Sequence, residues 1–170
     1  MASWAQLGLR SWEFLWVLLT MALIGNVIAG AFAGNASSIN YAMFVSTFDM
    51  LVVLFGFAAV FMDLSAAGLI MVVLDVLATI FTFIAGVVLA AKLGVHSCSN
   101  HSYTLSNHLT NGSHNPGKRC RELQASTAFY WFAFLGFIVS AVLAGMNSRN
   151  STSLRGRGGI RRGGPSMSQV

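Results

Sequence analysis

Charge is scarce in this chain. Ten Lys and Arg and five Asp and Glu among 170 residues make 9% charged against 55% hydrophobic. A soluble domain carries about 25% charged residues, and so few do not cover a water-exposed surface of this size. Proline is scarcer still: Pro116 and Pro165 both fall outside the apolar runs. Those runs therefore lack the broken helices on which transporters build their sites. They also lack His and Lys. With two isolated carboxylates, Asp49 and Asp75, they offer no nucleophile–base set or metal pair at one depth, so no enzyme is expected.

What is present is long apolar sequence. A bilayer core takes about 20 apolar residues as a helix, and four stretches qualify: 11–32, 41–62, 66–91 and 125–146. Helices satisfy their own backbone groups in lipid, so the expected fold is an all-α membrane protein, a left-handed or mixed bundle of four transmembrane helices. Residues 1–146 form that unit and 147–170 a disordered tail. Ala31-Phe32-Ala33 resembles a signal-peptidase site, but a run near 20 residues exceeds a signal h-region of about 7–15, and the first span is expected to stay. Asp63 or Ser65 suits the N-cap of the third helix. Trp12, Trp16, Tyr41, Tyr130 and Trp131 suit the headgroup levels.

Four spans put both termini on one side. Arg10, Arg149, Arg155, Arg157, Arg161 and Arg162 lie there, against Lys92, Lys118, Arg119 and Arg121 in the long loop. Six against four favours cytoplasmic termini. The cysteines argue more strongly. Cys98 and Cys120 share the long loop, and a disulfide between them persists only in an oxidising compartment. The loop is expected outside the cytosol, closed by that bond. It also carries two glycosylation sequons, at Asn100 and Asn111. Asn35-Ala36-Ser37 matches close to the membrane, and Asn150-Ser151-Thr152 on the cytosolic side.

Asn26, Asp49 and Asp75 interrupt the spans. An aspartate at a helix centre costs about 2.5–3.5 kcal/mol on insertion scales. Asn26 and Asp49 fall about 9 and 12 Å below the outer ends of their helices, so the two are placed to meet, and Asp75 falls near the midplane. With every Lys and Arg outside the apolar runs, neither aspartate is expected to have a cationic partner, and the protonated form is favoured. An interhelical bond that fixes packing is the structural reading. A proton-sensitive or permeation site is the functional one. Glu13, at the edge of span one, is expected to reach the interface. Small residues recur every four positions: Ala22, Asn26, Gly30 and Gly34; Ala78, Thr82, Gly86 and Ala90; Gly136, Ser140 and Ala144. Such rows let helix backbones approach.

His96, His101, His108 and His114 match no ligand spacing, so no metal or cofactor is expected and the loop reads as solvated. The tail, with five Arg and five Gly, has RGG-like stretches. Beside a membrane helix its simpler use is attraction to anionic inner-leaflet lipid, worth about 1 kcal/mol per Arg. No nucleic-acid partner is expected.

A resemblance rests on His96-Ser97-Cys98-Ser99-Asn100, Ser102-Tyr103, Arg119-Cys120-Arg121 and Gln124-Ala125. Asn40-Tyr41-Ala42-Met43-Phe44, Leu74-Asp75, Phe81-Thr82-Phe83-Ile84-Ala85-Gly86 and the Ser168-Gln169-Val170 end extend it. On these the whole chain resembles fungal MARVEL-domain proteins of the non-classical export and eisosome family. The resemblance implies a plasma-membrane protein of sterol-rich eisosome domains, tied to sphingolipid signalling, with eisosome scaffold proteins and copies of itself as partners. A small transporter or proton-linked channel using Asp49 and Asp75 is the alternative.

Overall fold

The structure is a computed structural model that describes residues 2–32, 34–61, 68–94 and 96–157. Four long helices, α1 (Ala2–Ala29), α2 (Ser37–Phe61), α3 (Gly68–Leu93) and α5 (Pro116–Arg157), are joined by short links and a long loop holding the six-residue α4 (His101–Ser106). Among the described residues, four segments are long and apolar enough to cross a membrane: Trp4–Ala29, Ser37–Phe61, Gly68–Leu93 and Pro116–Met146. The expected four-span bundle is there.

The helices form a ring in the order α1, α2, α3, α5, so α1 faces α3 and α2 faces α5 across the middle. Two apolar clusters fill it. One joins Ile24, Val27, Ile39, Val45, Leu89, Leu109 and Leu123 at the loop end. The other joins Val17, Val52, Val53, Ala78, Ala133 and Phe137 towards the terminal end. The outside is apolar as well, with Leu18, Leu51, Leu54, Val73, Ile80, Leu135 and Val142 all exposed. A patch of that extent would drive aggregation in water. In hydrocarbon it is the expected surface.

Helix ends differ from the hydropathy boundaries where polar residues belong to the helix. Pro116 opens α5 two turns before the apolar run, a position where its missing N–H costs nothing. The helix then continues to Arg157, so residues 147–157, expected to be disordered, are helical in backbone. Extending a formed helix adds one hydrogen bond per residue fixed. Arg161 and Arg162 lie outside the described residues, as do Asp63 and Ser65 with their expected capping role.

The Gly30–Gly34 pair is not a helix-packing motif. α1 stops at Ala29, and Gly34 lies in the turn beyond it with φ +82°, a conformation that glycine adopts without strain. Gly94, φ +60°, ends α3 in the same way, its N–H returning to the Ala90 carbonyl at 3.0 Å.

Candidate functional site

In the third turn of α1 (Ala2–Ala29), Arg10 turns inward. Its guanidinium grips Asp75 of α3 with two bonds, Nη1 to Oδ1 at 2.8 Å and Nη2 to Oδ2 at 2.7 Å. Nη1 also donates to Glu13 Oε2 at 2.8 Å, and Ser140 Oγ of α5 donates to Glu13 Oε1 at 2.5 Å. Glu13 and Asp75 are fully buried, and Arg10 and Ser140 nearly so. The fourth helix contributes an absence. A Cβ on Gly56 of α2 would lie 2.5 Å from Arg10 Nε, so only glycine leaves room for the side chain. Counted from the span ends Trp4, Phe61, Gly68 and Met146 at 1.5 Å per residue, the groups lie about 8–14 Å inside the terminal end. The guanidinium therefore ties the α1–α3 diagonal directly, reaches α5 through Glu13 and Ser140, and packs against α2 at Gly56.

This overturns three expectations. Asp75 has a cationic partner, Glu13 does not reach the interface, and Arg10 is part of the bundle interior rather than its flank. The physical reason is pairing: a buried charge is tolerated when its hydrogen bonds are met, and a bidentate Arg–carboxylate fork meets several at once. The signal in the sequence was the i, i+3 spacing of Arg10 and Glu13, which puts both on one helix face, together with a lone Gly56 between bulky neighbours.

Nearer the midplane, Asp49 Oδ2 accepts from Thr82 Oγ1 of α3 at 2.8 Å. Its Oδ1 is buried with no partner among the described residues. Asn26 does not meet it. That side chain is exposed, turned towards α5, and donates to Glu122 Oε1 at 2.5 Å. It lines a cleft of about 210 Å³ with Ser113, His114 and Lys118. The α2–α5 diagonal is tied by Tyr130, whose hydroxyl lies 2.6 Å from the Ala42 carbonyl and 2.8 Å from Ser46 Oγ. Tyr130 is thus a core residue, not one at the headgroup level. Of the small residues, Gly86 takes the Trp131 ring of α5, and Gly136 sits where a Cβ would come within 3.0 Å of Glu13 and Trp12.

The loop end is fastened differently. Cys98 and Cys120 form a disulfide with Cα atoms 5.6 Å apart, as expected. Next to it Arg119 is buried and donates to the carbonyls of Leu109 and Val27, at 2.8 and 2.9 Å, and to Asn35 Oδ1 at 3.0 Å. Val27 O belongs to the last turn of α1, where carbonyls lack helical partners. The end of α3 is closed by Asn107 Nδ2 on Lys92 O, 2.9 Å, and by the Tyr103 hydroxyl on Leu93 O. Burial raises the Tyr103 phenol above its ordinary value, which keeps that donor protonated. Phe32 N donates to Gly112 O at 3.2 Å, beside a bridge between Ala31 and Ser113, and so joins the two outer loops. Asn100 and Asn111 are both exposed, and Asn100 accepts from Tyr103 N and caps α4. His96 stacks on Tyr103 and His114 on Phe32. Among the described residues no three His, Cys, Asp or Glu gather as metal ligands.

A ring of four apolar spans, tied inside by polar side chains and clasped at one end by a disulfide, defines a multi-pass membrane protein. The profile of the membrane-associating domain, MARVEL, matches residues 3–143, and the chain belongs to that family. It is 35% identical over 170 residues to non-classical export protein 2 of Saccharomyces cerevisiae, covering 95% of each chain. It is 37% identical over 166 residues to non-classical export protein 102 of Candida albicans, again covering 95% of each. Non-classical export protein 2 homolog 1 of S. cerevisiae is 30% identical over 164 residues and 92% of each. No solved structure matches.

Proposed function

We propose that this chain is a non-catalytic organiser of the plasma membrane. It enriches in sterol- and sphingolipid-rich domains of the eisosome type and acts through helix packing, self-association and lipid contact. The observation that supports this most is how its intramembrane acids are used. Asp75 and Glu13 are bound to Arg10, and Asp49 to Thr82, so each is engaged in holding the bundle together. The apolar outer belt is left for lipid and for other copies.

A disulfide persists in an oxidising compartment, which supports a reading with the Cys98–Cys120 loop outside the cytosol and both termini inside it. There Arg149, Arg155, Arg157, Arg161 and Arg162 meet anionic inner-leaflet lipid. The printed names of the relatives connect the reading to non-classical export, with eisosome scaffold proteins as further partners.

Imaging of a tagged chain beside an eisosome scaffold marker tests the proposal. Stable co-localised patches that weaken when sphingolipid synthesis is blocked are expected; a uniform distribution indifferent to sphingolipid contradicts it. The second reading, a proton-linked channel, is favoured by one observation, the unpaired Asp49 Oδ1 near the midplane. Proton flux in proteoliposomes that disappears in Asp49→Asn would replace the organiser with that channel.

A further inference from the structure

Four Asn-x-Ser/Thr sequons occur, at Asn35, Asn100, Asn111 and Asn150, and the fold treats them unequally. We propose that Asn111 is N-glycosylated and that the other three are not. The proposal rests on the orientation given above, with the disulfide loop outside the cytosol.

Reach separates the candidates. The transferring enzyme works on extended chain at some distance from the bilayer. Asn35 lies in the short link between α1 (Ala2–Ala29) and α2 (Ser37–Phe61) and cannot leave the membrane surface. Asn100 follows the end of α3 at Leu93 by about seven residues, roughly 25 Å of fully extended chain. Asn111 follows it by about 18 residues, roughly 60 Å, and the polar opening of α5 gives slack on the other side. Asn150 belongs to the opposite end of the bundle.

The folded loop gives the same order. Asn35 Oδ1 is held by Arg119, and the Asn100 side chain caps α4. Asn100 and Asn111 are both exposed, but only the main chain of Asn111 is engaged, its N–H on Asn107 O at 3.0 Å. Its neighbour Gly112 adds no side chain to crowd a sugar. The disulfide is independent evidence for the lumen in which such transfer takes place.

The co-reactant is an oligosaccharide carried on a lipid diphosphate. The Asn111 carboxamide nitrogen bonds to the anomeric carbon and the C–O bond to the diphosphate breaks. The lipid diphosphate leaves with the electron pair, and the amide gives one proton to a base of the transferase. The resulting glycan stands over the cap formed by the two outer loops. It bars cap-to-cap contact between copies and leaves the lateral helix faces for self-association.

The test uses the full chain, tagged at one terminus and expressed in yeast, with gel mobility read before and after endoglycosidase. A single endoglycosidase-sensitive step is expected in the wild type and in Asn100→Gln. It should be lost in Asn111→Gln and kept in Ser113→Thr, which preserves the sequon. Absence of the step in the wild type, or its survival in Asn111→Gln, overturns the proposal. Treatment of intact cells with an impermeant amine reagent, read at the exposed Lys118 and controlled with Lys118→Arg, tells the two failures apart. Labelled Lys118 without a glycan sinks the site alone, and unlabelled Lys118 sinks the orientation as well.

Discussion

The two ends of the bundle are fastened by different chemistry. At the terminal end one guanidinium, two carboxylates and a hydroxyl meet inside the membrane span, with a glycine making the space. At the loop end a covalent bond and a second buried arginine do the work, and Arg119 spends two of its donors on main-chain carbonyls. In lipid, helices have no hydrophobic drive towards each other, so an interior tie must come from polar groups satisfied among themselves. Outside the span, water competes for such bonds. There a disulfide is the fastening that does not depend on solvent.

That contrast orders the consequences of mutation. Arg10→Met leaves two acids buried without their cation, and breaking a buried pair from one side costs about 3–5 kcal/mol. Unfolding by denaturant in detergent measures the loss. Removing the disulfide with Cys98→Ser and Cys120→Ser frees the loop, at roughly 3.4 kcal/mol on the chain-entropy model. Its signature is loosening of the outer cap, read by hydrogen exchange at α4, while the terminal end is unchanged. Gly56→Ala drives a methyl into Arg10 and costs about 1–3 kcal/mol as overpacking. Combination with Arg10→Ala should remove most of that cost, because the Nε, Cδ and Cζ atoms that the methyl meets are gone. Asp49→Asn should be nearly neutral, within about 1 kcal/mol, since an amide oxygen still accepts from Thr82 and the other oxygen has no partner among the described residues. A loss as large as that of Arg10→Met would mean that the midplane acid, not the terminal cluster, holds the helices.

The fold was legible in the sequence because span length and cysteine placement are strong one-dimensional signals. The four helices and the disulfide follow from them. The cluster was hidden for the opposite reason. Arg10 and Glu13 precede most of the first apolar run, where charge reads as a flank, and only packing shows that they turn inward. Asn26 was misassigned because depth was matched without regard to helix face: it faces α5 and Glu122, not Asp49. Gly34 fitted a helical spacing in a segment that had already left the helix. The buried role of Arg119 carried no signal of its own, since its partners are mostly backbone carbonyls that any sequence supplies.

The central claim is that Arg10 and Asp75 join helices that face each other across the bundle. A double-mutant cycle with Arg10→Met and Asp75→Leu, followed by detergent unfolding, tests it most directly. The account predicts a coupling of about 1–3 kcal/mol, with the double variant more stable than the sum of the two losses implies. Additive losses would mean that the two side chains do not interact, and the tie between α1 and α3 would be contradicted.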